Sequence, residues 1–161
     1  MPRKELRHED VTIICDNREK EPFNLAPLKV ERGTLQTGDY TVKGLESLIA
    51  VERKSVADLV MCCGQERERF EREMERIQSF ESCIVIVEGP WSIIETKSYR
   101  GQMLPDAIEG SVIRWETKRI PFWFASSRQE AEAKARRFLF IAIRERWRQL
   151  QAMSDNLKIA T

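Results

Sequence analysis

The stretch Ser47–Val60, "SLIAVERKSVADLV", opens apolar and then places Glu52, Arg53, Lys54 and Asp58 within seven residues. An extended chain sends residues i and i+2 to one side, so Glu52 and Lys54 share a face and Arg53 turns away. Ionised side chains at the end of a buried strand are costly unless they are paired or hold a metal. The segment is therefore either a strand leaving the core for solvent or a functional site.

Outward from this stretch, "TLQTGDYTVK" (Thr34–Lys43) reads as a strand interrupted at Gly38. Gly44 and its neighbours supply a turn, so 34–43 and 47–54 form a hairpin. "VTIIC" (Val11–Cys15) and "CIVIVEG" (Cys83–Gly89) are continuous apolar runs, as expected of strands buried on both faces. "DNREKEPFN" (Asp16–Asn24) reads as a loop. One helix is expected over 55–80, capped by Ser55, with Phe70, Met74 and Ile77 as its buried stripe. Pro105–Arg119 suits a second helix, Ile120–Ser127 a strand, and Arg128 to about Met153 a long final helix. The order β-(ββ)-α-β-α-β-α favours a single α/β domain, a mixed central sheet flanked by helices. Residues 1–10 and 151–161 read as charged and loose tails.

Composition sets limits. The chain has 161 residues with 27 basic and 26 acidic side chains, so any basic footprint for nucleic acid must be local. Of the four cysteines, Cys62 and Cys63 are adjacent, and no CxxC pair occurs. That suits neither disulfides nor zinc and points to a reducing, intracellular setting, not secretion. No signal peptide or membrane span is visible. The one histidine, His8, lies in a polar stretch and reads as a solvated residue. Ser-His-Asp chemistry and multi-histidine metal sites are thereby excluded, and carboxylates and lysine must carry any catalysis. Trp91, Trp115 and Trp123 read as core or interface residues. The six-residue run "FLFIAI" (Phe138–Ile143) is apolar all round its helix. Burial on two sides follows, and a dimer interface through Phe138, Phe140, Ile143 and Trp147 is the favoured explanation.

Asp39 precedes Glu52 by twelve intervening residues, giving Asp-x12-Glu-x-Lys across the hairpin. Two carboxylates in reach of one another form a hard oxygen site suited to Mg2+, and the carbonyl of Arg53 can add a third ligand. Lys54 beside such an ion can orient the attacking water and offset phosphate charge.

The motif's company is more specific than the triplet. Gly38-Asp39-Tyr40, then Glu52-Arg53-Lys54-Ser55-Val56-Ala57-Asp58, preceded by Asp16-Asn17-Arg18-Glu19, closely resembles the XPF-type structure-specific endonucleases and their GDx…ERKxxxD hallmark. "RERFEREMERI", "CIVIVEG" and the segment from Ala107 onward extend the resemblance over roughly residues 11–147, so 11–150 is expected to be the nuclease domain. The resemblance implies a restriction-endonuclease-like (PD-(D/E)XK) fold, dependence on Mg2+ or Mn2+, and incision of branched DNA such as 3′ flaps and forks. It implies that Asp39 and Glu52 ligate metal, with Asp16 a further candidate ligand, and that Lys54 orients water. Arg53 would anchor phosphate or Asp16, Asp58 would brace the site, and Arg18 with Arg67 or Arg69 would contact DNA. The tandem helix-hairpin-helix module carried by many members is not seen after the nuclease region, so the domain is expected to bind DNA weakly or to borrow an accessory DNA-binding subunit. A scaffolding subunit with a vestigial site, and a sequence-specific nicking or restriction enzyme on the same fold, remain open alternatives.

Overall fold

A computed structural model describes residues 5–157. Its centre is a six-stranded mixed sheet of order β2-β1-β3-β4-β5-β6. The strands are β1 (Thr12–Asp16), β2 (Lys29–Gly33), β3 (Tyr40–Val42), β4 (Ile49–Ser55), β5 (Ser82–Glu88) and β6 (Phe122–Ala125). The helices are α1 (Val56–Cys63), α2 (Arg67–Gln78), α3 (Ser92–Glu95), α4 (Pro105–Thr117) and α5 (Arg128–Leu157). β3 runs antiparallel to both neighbours, β1 and β4, and the remaining pairs are parallel.

Alternation along the strands builds two cores. Ala50, Val85 and Val87 face α1, α2 and α4, where Leu59, Phe70, Ile108 and Trp115 close over them. Val51, Ile84 and Ile86 face α5, meeting Ala131, Ala135 and Leu139, with Phe23 and Leu25 completing that side. β5 contributes to both layers, which is why its sequence is apolar without alternation.

The structure departs from the sequence reading in several places. β2 was not expected within the stretch 17–33. It is an edge strand whose first four residues are exposed, so it carries no apolar signal. β3 is three residues long because 34–39 form a turn in which Gly38 takes φ +78°. The single helix expected over 55–80 is two helices, broken at Gly64, whose N–H donates to the Met61 carbonyl at 3.0 Å and ends α1. The tails are also shorter. α5 continues to Leu157, and Leu6 packs on the α5-side core while His8 stacks on Phe140 at 4.2 Å. Thus part of the apolar run on α5 is covered by the chain's own N-terminal segment. Residues 1–4 and 158–161 of the expected tails lie outside the described residues.

Candidate active site

The ends of β1, β4 and β5 and the start of β3 meet at one end of the sheet, because β3 alone runs the other way. Register places Cys15 beside Tyr40, Tyr40 beside Val51, and Ser55 beside Glu88. Asp16, Asp39, Glu52, Arg53, Lys54 and Glu88 are gathered there by strand pairing.

Asp39 is fixed through its backbone. Its N–H donates to the Val51 carbonyl at 2.8 Å, and its own carbonyl accepts from the Asp16 N–H at 2.9 Å. Oδ2 of Asp39 accepts the Arg53 N–H at 2.8 Å, so a carboxylate replaces the missing ladder partner of β4. The N–H and carbonyl of a strand residue project to the same edge, so the Arg53 carbonyl points to the Asp39 side as well. Gly38 supplies the left-handed turn that turns the chain into this position. A Cβ there would come within 3.1 Å of the Ala50 Cβ.

Glu52 and Lys54 do share a face. Glu52 is 7% exposed, and its Oε1 lies 3.0 Å from Lys54 Nζ. Lys54 Nζ also sits 5.0 Å from the centre of the Phe70 ring and 4.0 Å from Glu73 Oε2 of α2. Burial would push the Lys54 ammonium down, but the Glu52 and Glu73 charges outweigh it and hold the group protonated. Burial raises the Asp39 carboxyl well above its ordinary 3.8, and the charge of Glu52 adds to the rise. Glu52 is raised by the same burial, although Lys54 opposes it. Burial disfavours both carboxylates as anions, a cost that a divalent cation between them would offset. Among the described residues no group of three or more His, Cys, Asp or Glu is arranged to enclose a metal. The carboxylates of Asp39 and Glu52 and the Arg53 carbonyl are hard oxygen donors of the kind that Mg2+ or Mn2+ would take, with water completing the shell.

Asp16 stands outside that set. Its Oδ1 accepts the Arg18 N–H at 2.9 Å and Arg18 Nε at 2.6 Å, and its Oδ2 accepts the Leu35 N–H at 2.7 Å. Burial would raise this carboxyl, but the three donors lower it. Asp16 ties the loop after β1 to the turn between β2 and β3, and both of its oxygens accept hydrogen bonds there.

Arg53 turns to the opposite face, where it bonds residues other than Asp16 and lines an open cleft. Its Nη1 donates to Glu19 at 2.9 Å and to the Glu21 carbonyl at 2.6 Å, and its Nε bonds Glu88. The guanidinium lies 4.4 Å from the centre of the Phe23 ring. Tyr40 joins the network by donating to Glu19 at 3.0 Å and accepting from the Phe23 N–H at 2.8 Å. A cleft of about 420 Å³ opens beside it, lined by Arg18, Lys20, Ser55 and Asp58 together with these acids. Asp58 is exposed on the first turn of α1, where its N–H is capped by Ser55 Oγ at 3.0 Å. A carboxylate there favours the helix N-terminus.

The expected DNA contacts divide. Arg18 is exposed but already bonds Asp16 and the Leu35 carbonyl. Arg69 is exposed and paired with Glu66. Arg67 ties α1 and α2 to α4 through the Cys63 carbonyl and Ser111 Oγ. Sequence reasoning missed Glu73 and Glu88 and gave Glu19 no role. Glu19 stood in the Asp-x-Arg-Glu stretch, but its partner is 34 residues away.

This sheet and site define an XPF-type nuclease domain of restriction-endonuclease-like fold. Residues 5–134 match the ERCC4 domain, and the chain belongs to that family. The fold is similar to that of XPF from Aeropyrum pernix, with TM-score 0.66 and 20% identity over 81% of this chain and 61% of that one. It is similar also to XPF from Aeropyrum pernix in complex with DNA, with TM-score 0.56 and 18% identity over 89% of this chain and 66% of that one. The chain thus spans just under two thirds of those structures at most. No curated protein matches the sequence.

Proposed function

We propose that this chain is a metal-dependent endonuclease that hydrolyses phosphodiester bonds in branched DNA, such as 3′ flaps and forks, and works as a homodimer. The observation that carries the reading is the placement of Asp39, hydrogen-bonded through its backbone and carboxylate to Val51 and Arg53 of β4, next to the strand face on which Glu52 Oε1 and Lys54 Nζ lie 3.0 Å apart. Family membership supports DNA as the substrate.

Asp39, Glu52 and the Arg53 carbonyl would hold Mg2+ or Mn2+. Such an ion supplies Lewis-acid polarisation of a phosphoryl oxygen and acidifies water. The protein's own contribution is placement. Arg53 N–H fixes the Asp39 carboxylate, and the buried wall around Glu52 limits water to the reacting face. Lys54 orients the attacking water and offsets the charge that grows on phosphate. The water oxygen forms its bond to phosphorus as the bond to the departing sugar oxygen breaks. The Arg53–Glu19–Glu88 network holds β1, β4 and β5 in register behind the site.

For the dimer, the support is the outer face of α5 and β6. Trp123 is 41% exposed and Ile141 40% exposed. They line one cleft with Phe138 and Lys134, whose ammonium lies 3.7 Å from the Trp123 ring centre. Phe138, Phe140 and Ile143 pack partly on their own core, so Ile141 and Trp123 present the freer surface. All four cysteines are buried and unpaired, which supports an intracellular setting. No helix among the described residues is long and apolar enough to cross a membrane.

The test is incubation with flap, fork, nicked and linear DNA of one sequence, with Mn2+ or with EDTA. Incision of flap and fork in Mn2+ and none in EDTA is the expected result. Salt-sensitive binding of every substrate with no incision would overturn it in favour of a scaffolding subunit. Equal, sequence-dependent cutting of linear duplex would favour a nicking enzyme.

A further inference from the structure

The Lys54 ammonium stands between two carboxylates from different elements. Glu52, on the same strand, holds it at 3.0 Å. Glu73 reaches across from α2 and stops at 4.0 Å, an ion-pair separation too long for a hydrogen bond. Oε2 of Glu73 is closed to solvent and accepts no hydrogen bond. A buried carboxylate oxygen left without a donor is unfavourable, and native structures seldom keep one without a reason.

The reason lies in what Glu52 must do. It is bonded to Lys54 here, and it is also one of the two proposed metal ligands. An oxygen that turns to a cation weakens its bond to the ammonium. Lys54 then needs another anion, and Glu73 is about 1 Å short of bonding distance. The flexible four-carbon stem of lysine covers that gap without moving the strand. Phe70, one turn before Glu73 on α2, presents its ring to the same nitrogen and keeps the path between the two carboxylates short.

We propose that Glu73 is a positioning residue that receives the Lys54 ammonium when Glu52 turns to the divalent ion. The proposal rests on the metal-dependent nuclease reading given above. Glu73 touches neither metal nor substrate; it sets where Lys54 points once the ion is bound.

The test is calorimetric titration of Mn2+ into the DNA-free wild-type protein, Glu73→Gln, Lys54→Met and the double variant. Glu73→Gln keeps the size and removes a carboxylate whose Oε2 has no hydrogen-bond donor, so its melting point should not fall. We expect Glu73→Gln to weaken Mn2+ binding about 5–10-fold in the wild-type background and less than about twofold in the Lys54→Met background, since no ammonium is left to hand over. In cleavage assays kcat should fall about tenfold while KM for a flap stays within about twofold. Equal weakening in both backgrounds would overturn the proposal, because Glu73 would then act on the ion through charge alone. No weakening in either background would overturn it as well. Failure of the wild-type protein to bind Mn2+ would instead remove the metal reading, and this proposal with it.

Discussion

Asp39 shows how one residue can be costly to the fold and necessary to the site. Its carboxyl is raised well above 3.8, first by burial and then by Glu52. The folded state therefore holds that proton more tightly than the unfolded state does. Its contribution to stability is fully present below pH 3.8 and is lost as pH rises through the raised value. Asp39→Asn keeps the oxygen that accepts the Arg53 N–H and cannot ionise. We expect the metal-free variant to melt higher than wild type at pH 7, by about 2–4 °C for each kcal/mol relieved, and the difference to shrink toward pH 4. Thermal melts across that range check it. The same variant should lose cleavage by at least about a thousandfold, a loss of roughly 4 kcal/mol in transition-state stabilisation. At this scale much of the site was legible. Asp39, Glu52 and Lys54 follow from the period of a strand and a motif. Glu73 did not, because it sits in "RERFEREMERI" among seven other charged residues with nothing in their spacing to single it out. Its reach to Lys54 depends on how α2 lies after the break at Gly64. The intramolecular partners of Arg53 and Arg67 were not legible for a related reason. Their partners, Glu88 and Ser111, lie 35 and 44 residues away.

Among the elements, the turn before β3 carries the heaviest demand. Gly38 takes φ +78°, and an added Cβ would meet Ala50 Cβ at 3.1 Å and the Val51 carbonyl at 3.4 Å. We expect Gly38→Ala to lower stability by about 1–2 kcal/mol, the usual cost of left-handed backbone in a residue with a side chain. Cleavage should fall by more than stability explains, at least tenfold at a temperature where the variant is fully folded, because Asp39 is the next residue. Urea melts and single-turnover rates on the same sample separate the two effects. Elements were read well where packing dictates sequence. β1 and β5, buried on both faces, and α4, opened by Pro105, fall where their apolar runs and start signals place them. β2 was invisible because an exposed edge strand need not be apolar, and its pairing with β1 is decided by the sheet.

For the whole molecule, two sheet faces are covered by helices, and the outer side of α5 with β6 keeps an apolar surface. A charge at Ile141 tests the homodimer more cleanly than one at Phe140, which stacks on His8 within the chain. We expect wild type to be a dimer by light scattering at micromolar concentration. Ile141→Glu should be a folded monomer with an unchanged melting profile at low concentration; a wild-type monomer would end the dimer claim. With 27 basic against 26 acidic residues, the chain has little net field to steer DNA. In the proposed reading, binding rests on local contacts around the cleft beside Arg18 and Lys20 and on the ion that Asp39 and Glu52 would hold. The most direct measurement is therefore anomalous diffraction from crystals grown with Mn2+. The account calls for one strong peak bonded to both Asp39 and Glu52, with the Arg53 carbonyl at its edge. Crystals in which Mn2+ binds elsewhere, or not at all, while Glu52 keeps its bond to Lys54, would contradict it.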